Sequence, residues 1–229
     1  MLGVEAAART GVGMIRYLGP DRPTDLVLQR RPEAVTADGR VQAWVMGSGM
    51  DPAHRDDATR ARLLRAFGQG VPIVLDAGAL DLHGEARGPL LLTPHAGELA
   101  RVVGGSVEEV RADPERAARD AAASLGATVL LKGHTTRVAT ADGAVLRVRS
   151  APAWLATAGA GDALAGIIGA LLATHADGIA EDPALVARLA AAGAVLHGLA
   201  AERASAGGPL TILDLVAALP RVIAELLAA

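Results

Sequence analysis

A doubly wound α/β fold, a mostly parallel sheet with helices on both faces, is the class this sequence predicts. Apolar runs of strand length alternate with amphipathic stretches of helix length along most of the 229 residues. Runs such as 72–76, Pro-Ile-Val-Leu-Asp, have the unbroken hydrophobicity of a parallel strand covered on both faces. With 51% hydrophobic residues the chain can bury a sizeable core. Its length suits one large domain, read here as 1–229.

The elements follow in order. Residues 3–12 read as an alanine-rich helix ending near Gly11 or Gly13. Met14 to Leu18 reads as a strand stopped by Gly19-Pro20; Asp21-Arg22-Pro23 then reads as a loop, and Leu26-Val27-Leu28 as another strand. Ala43 to Met46 is a third, running into Gly47-Ser48-Gly49. Asp57 to Phe67 reads as a helix with Ala61, Leu64 and Phe67 near one face. Residues 72–76 and 90–93 are further strands. Ser106 caps a short helix reaching Arg111, with Glu109 at capping-box spacing, and Pro114 opens a helix to about Leu125. Thr128 to Lys132 is a strand; 137–140 and 145–148 flank a hairpin turn at 141–144. Helices over 162–174, about 183–203 and 212–227 close the chain, with a loop at 206–209.

Composition excludes several functions. A net charge of −3 without a basic block leaves no nucleic-acid footprint. Aromatics at 2% argue against base-stacking platforms for single-stranded nucleic acid. The lack of cysteine rules out disulfides and thiolate metal sites and is compatible with a reducing compartment. No uninterrupted apolar stretch reaches transmembrane length, and Met1 to Glu5 lacks the basic-then-apolar order of a secretory signal. The expected location is the cytoplasm, with neither membrane nor nucleic acid as partner.

The chemistry concentrates in Ala156-Thr157-Ala158-Gly159-Ala160-Gly161-Asp162, a small glycine-rich loop opening into the apolar run 163–172. The first amides of a helix lack intrahelical partners, and its dipole adds positive charge there. Side chains this small let an anion approach those amides, and Asp162 is placed to take a proton from an attacking hydroxyl. Phosphoryl transfer needs such a cradle and base. An ordinary helix N-terminus with a dipole-favoured acid reads the same way. Other candidates follow strands: Gly47-Ser48-Gly49, Asp76, the stretch Thr93 to Glu98, and Lys132-Gly133-His134-Thr135-Thr136. Ligands of open α/β sheets bind at such carboxyl ends. Each has a plainer reading as well: His95 as a helix cap or loop histidine, Glu98 as a first-turn acid, Lys132 as a solvated strand end. Neither a dinucleotide fingerprint nor a Walker A sequence is present.

Together these stretches resemble the ADP- or ATP-dependent NAD(P)H-hydrate dehydratases, whose fold is ribokinase-like. The matching pieces are Gly47-Ser48-Gly49-Met50, 74–80 (VLDAGAL), 93–98 (TPHAGE), Leu131-Lys132-Gly133 and 156–166 (ATAGAGDALAG), in the family's order. The glycine-Asp loop is shared with the wider superfamily; the TPHAGE stretch discriminates. The resemblance implies repair of hydrated NADH and NADPH by phosphorylation of the (6S)-hydrate hydroxyl and elimination of phosphate. In that reading Asp162 is catalytic. Gly159, Ala160 and Gly161 form the anion hole. Gly49, His95 and Asp162 contact the hydrated dinucleotide; Lys132 to Thr136 and Gly161 hold the nucleotide. Magnesium is expected, with no ligands assigned. By resemblance the assembly is a homotetramer, and a separate epimerase is expected because the chain has no room for a fused one.

Three departures stand out. The chain starts after the family's usual first strand and glycine-rich loop, which leaves an expected exposed sheet edge. The family's second acid in DADAL is Gly78 here. The usual Gly-Asn before the catalytic loop is Ala151-Pro152. Two alternatives fit the glycine-Asp loop: a vitamin or sugar kinase of the same fold, and a nucleotide-binding protein without turnover.

Overall fold

The computed structural model describes residues 1–149 and 151–228. Six strands form a single sheet in chain order: β1 (Trp44–Met46), β2 (Ile73–Leu75), β3 (Leu90–Leu92), β4 (Thr128–Leu131), β5 (Thr136–Ala139) and β6 (Val145–Val148). The first four are parallel, with Trp44 opposite Ile73, Ile73 opposite Leu90 and Leu91 opposite Thr128. A hairpin of β5 and β6 completes the sheet antiparallel. The carboxyl ends of β1 to β4 therefore open on one edge.

Alternation along the strands divides the core. Ile73, Leu75 and Leu92 pack beneath α3 (Asp57–Phe67) and the 3-10 segment Ala77–Glu85. Val129, Leu131 and Ala139 pack beneath α4 (Ala96–Val103), α5 (Val107–Ala112) and α6 (Pro114–Leu125). Val74, Leu91, Leu130 and Val138 face the other way, onto α7 (Ala160–Thr174), α8 (Ala176–Glu181) and α9 (Leu185–Ser205). An outer layer of α1 (Leu2–Thr10) and α10 (Ile212–Leu227) covers α7 and α9. The α/β class with helices on both faces is the observed one.

Several local expectations are corrected. Leu26-Val27-Leu28 lies in a helix, α2 (Asp21–Arg30), and Asp21-Arg22-Pro23 forms its first turn instead of a loop. A short apolar triplet does not distinguish strand from helix, and a first-turn proline removes no intrahelical bond. Met14 to Leu18 forms no strand; Arg16 makes an isolated bridge to Val35. The buried face of α3 is Leu63, Ala66 and Phe67; Ala61 and Leu64 are exposed. The expected helix over 183–203 is α9, preceded by the separate α8. By length and composition α9 could cross a membrane, with a mean hydropathy of 1.3, contrary to the expectation that no stretch would. Much of it is instead buried in the core.

Helix α7 is enclosed on every side, and glycines permit it. A Cβ on Gly166 would lie 2.2 Å from the Gly3 carbonyl oxygen of α1. One on Gly169 would meet Val45 Cγ2 at 2.2 Å. On the neighbouring helix, one on Gly193 would meet Ile168 Cγ1 at 2.6 Å. The α1–α7 crossing is thus backbone against backbone.

Glu5 anchors α1 from its other side. Its buried carboxylate accepts from Arg31 Nη2 at 2.7 Å, Arg31 Nε at 2.9 Å and Arg30 Nε at 2.9 Å. Burial pushes this carboxyl up, and the Arg31 and Arg30 bonds more than offset that, leaving it below its ordinary value of 4.5. A lowered folded-state value means stabilisation present above pH 4.5 and lost as pH falls through the folded value. Glu5→Gln is expected to cost about 2 kcal/mol at neutral pH. Urea unfolding should show that deficit shrinking below pH 4.5; a pH-independent deficit would mean the ion cluster is not its source.

Candidate active site

Four strand-end loops build the site. After β1, Gly47 takes φ 113°, and a Cβ there would lie 1.7 Å from the Asp76 carbonyl oxygen. Only glycine fits that nest. Gly49 takes φ 67° with open space around it and is exposed. After β2, the Asp76 carboxylate is buried and accepts from Thr93 Oγ1 at 2.9 Å and from Lys132 Nζ at 2.7 Å. Thr93 and Lys132 follow β3 and β4, so one carboxylate ties three strand ends together. Lys132 Nζ also lies 3.7 Å from Glu98 Oε2.

Pro94 and Lys132 extend the β3–β4 pairing by one backbone bond, Lys132 N–H to Pro94 C=O at 2.8 Å. His95 then caps α4. Its Nδ1 accepts from the Gly97 and Glu98 amides at 3.1 and 3.2 Å, while Glu98 Oε2 accepts from the His95 amide at 2.8 Å. Accepting at Nδ1 places the ring proton of the neutral form on Nε2. That atom lies 3.4 Å from Glu98 Oε1 in a ring 56% exposed. The plainer reading of His95, a helix cap, is thus realised, and the ring stays largely exposed with Nε2 beside the Glu98 carboxylate.

The glycine-rich loop lies beside this network. Gly159, at φ 88°, is the residue before α7, and among the described residues no side chain caps that helix. A Cβ on Gly161 would lie 3.2 Å from Lys132 Nζ and 3.7 Å from Asp76 Oδ2. The Ala160 amide donates to Thr157 C=O at 3.3 Å within the loop. Those of Gly161 and Asp162 are next in the turn, where a helix offers no acceptor of its own. Asp162 is half-buried in this first turn.

The structure therefore joins Lys132 and Gly161 through Asp76, and His95 through Glu98. Gly133 and His134 are exposed and Thr135 and Thr136 half-buried on the loop leaving the same edge. Among the described residues, the hydrogen-bonded cluster does not extend to Gly49 or to 133–136. Asp76, Thr93 and Glu98 were legible as strand-end candidates, and Glu98 as a first-turn acid, but their mutual tie through Lys132 was not. His197 was missed altogether. It lies on α9 with Nε2 buried and unpartnered, and its ring contacts the Ala160 backbone beneath the loop. Burial pushes its pKa down to about 4, against the hydrogen bond to Ala160, so the ring is neutral at pH 7. A lone histidine in an alanine-rich helix is the signal sequence offered.

Among the described residues, no group of three or more His, Cys, Asp or Glu could hold a metal ion. Magnesium typically keeps its waters and relies on substrate phosphates with one or two carboxylates, which suits this residue set.

The architecture is a ribokinase-like fold. A hydroxyethylthiazole kinase from Pyrococcus horikoshii, 21% identical, superposes over 96% of this chain and 92% of its own with a TM-score of 0.66, a likeness of fold. The chain belongs to the NAD(P)H-hydrate dehydratase family, whose model matches residues 1–220. The ADP-dependent (S)-NAD(P)H-hydrate dehydratase of Neisseria meningitidis is 43% identical over 171 residues, covering 71% of this chain and 55% of that protein. The bifunctional NAD(P)H-hydrate repair enzyme of Mycobacterium tuberculosis is 41% identical over 181 residues, 74% of this chain and 37% of that protein. This chain thus spans about a third to just over half of these curated relatives. A Bacillus subtilis ADP/ATP-dependent NAD(P)H-hydrate dehydratase, co-crystallised with ATP and Mg2+, is 28% identical with a TM-score of 0.84 over 98% of this chain and 83% of its own.

Two expectations follow from the histidines. His95→Ala should lower stability by about 1 kcal/mol and His95→Asn by less, because asparagine also caps; equal losses in denaturant unfolding would remove the capping role. His197 has a lowered folded-state pKa, so stability is retained above 6.5 and declines as pH falls from 6.5 towards 4. In His197→Gln, unfolding midpoints should fall less across that window than those of the wild-type chain; an equal fall would remove His197 as a source of the pH dependence.

Proposed function

We propose that this chain restores NADH and NADPH from their (6S)-hydrates in a nucleotide-dependent dehydration. The observation that carries the reading is the seating of Gly161 against the Lys132–Asp76 pair, beneath an α7 first turn that no side chain among the described residues caps. Family membership over residues 1–220 supports it.

In the first step Asp162 takes the proton of the hydrate hydroxyl. The freed oxygen forms a bond to the terminal phosphorus of the nucleotide, and that phosphorus releases its bridging oxygen to the shortened nucleotide. The glycine-rich loop, with the helix dipole behind it, stabilises charge on the phosphoryl oxygens. In the second step the carbon–oxygen bond breaks with loss of phosphate, and a proton leaves the adjacent ring carbon as the double bond forms. Gly49 and the exposed ring of His95 contact the hydrated dinucleotide. Gly133, His134, Thr135, Thr136 and Gly161 hold the nucleotide. Lys132 contributes its charge from beneath the loop while held by Asp76.

Asp76 and Glu98 outnumber Lys132 by one charge. A divalent cation arriving with the phosphates offsets that excess, which supports magnesium. The name of the Neisseria relative supports ADP as donor. A homotetramer in the cytoplasm completes the reading.

Hydrated NADH, magnesium and ADP or ATP incubated with the chain should return reduced-nicotinamide absorbance and release free phosphate. Asp162→Asn should slow this roughly 10²- to 10⁴-fold. Phosphate retained on the acceptor would identify a kinase instead; nucleotide binding without product would identify a binding protein.

A further inference from the structure

Four aromatic residues are present in the chain, and one is displayed to solvent near the glycine-rich loop. Trp154 is 50% exposed, whereas Trp44 and Phe67 are buried and Tyr17 half-buried. Leaving half of so large an apolar side chain in water forgoes part of the burial that stabilises a core. Its segment is nonetheless ordered by its own hydrogen bonds: Leu155 N–H to Pro152 C=O at 3.0 Å, Ala156 N–H to Ala153 C=O at 3.1 Å, and Thr157 N–H to Leu155 C=O at 2.8 Å. The next bond in the series is the one from Ala160 to Thr157, at the start of α7. Leu155 turns inward and packs with Ala160 against the α1–α7–α10 core. Trp154, its neighbour, turns outward. The indole is thus held on a short rigid turn leading into the anion cradle, amid small side chains from Ala151 to Ala160.

We infer that Trp154 is a stacking platform for the adenine ring of the ligand whose phosphates lie on the α7 loop. This rests on the proposed nucleotide site. The amides bind phosphate without regard to the base, so selection for a planar base must come from a separate surface. An exposed indole supplies one, since every base has a π-face. Adenine occurs in the phosphoryl donor and in the hydrated dinucleotide alike. The shared ring is what Trp154 recognises, and the experiment separates the two sources.

Iodide quenching of tryptophan fluorescence reads Trp154 directly in the wild-type chain, because Trp44 is buried. ADP or NADP+ at saturation should shield the indole severalfold, and pyrophosphate, which lacks the ring, should not; the nucleotide that protects is the source. By calorimetry, Trp154→Ala should weaken that nucleotide about tenfold, with Trp154→Phe recovering most of the loss. Nucleotide binding with unchanged iodide access and unchanged affinity in Trp154→Ala would overturn the inference and leave the proposed function standing. Shielding that grows with protein concentration alone would overturn it in favour of contact between copies. Absence of nucleotide binding to the wild-type chain would overturn both.

Discussion

Close packing of α7 by glycine is the constraint on which the other features depend. Nine residues of α7 are buried, and it is the element that α1, α9, α10 and the sheet all touch. Three glycines serve three directions: Gly161 towards Lys132, Gly166 towards the α1 backbone, and Gly169 towards Val45. Each approach is shorter than a methyl group would tolerate or only just permits one. A helix with three interior or first-turn glycines sacrifices intrinsic propensity, about 1 kcal/mol for each interior position. Burial among apolar neighbours compensates, and the result is a first turn whose position is fixed from several sides. An electrostatic cradle acts only if its amides are already aimed.

The ion network below that turn shares this logic. Lys132 lies between Asp76 and Glu98, and each carboxylate has a second partner: Thr93 Oγ1 for one, the His95 amide for the other. A buried ion pair is weak support for stability by itself, because desolvation offsets most of its attraction. Its geometric effect is larger. The pair connects the ends of β2 and β4 directly, and the Thr93 and His95 bonds bring in β3. The positive charge is therefore held at a fixed height under Gly161, in contrast to a free lysine that sweeps through solvent.

Legibility in the sequence followed how local each signal was. Ser106 with Glu109, Pro114, and the hairpin turn at 141–144 fixed their elements because cap and turn chemistry acts over four residues. The parallel strands were visible as continuous apolar runs. Leu26-Val27-Leu28 misled because three residues are too few to show a period, and only Val27 is buried in α2. At the site, the loop bearing Asp162 was legible from its glycines. The Asp76–Lys132 pair was not, since its members are 56 positions apart and only the β2–β3–β4 pairing brings them together. His95 carried two readings in the sequence, and the capping geometry shows that they are compatible. His197 had no local pattern at all; its meaning lies in what α9 places beside Ala160.

Gly78 shows how a departure from a family pattern acquires a physical cause. The family's second acid would stand here, yet a Cβ at this position would lie 1.9 Å from the Met50 carbonyl oxygen. The loops after β1 and β2 therefore meet backbone to backbone at Gly78 and again at Gly47. Arg55 closes the contact, donating from Nη2 to the Gly78 carbonyl at 2.6 Å and pairing with Asp81 at 2.8 Å. With the Met50 carbonyl this close, position 78 of this chain has no room for a side chain. Gly49, between Gly47 and Met50 on the same loop, has open space around it. Position 78 therefore contributes backbone alone, its carbonyl held by Arg55 where a side chain would have no room.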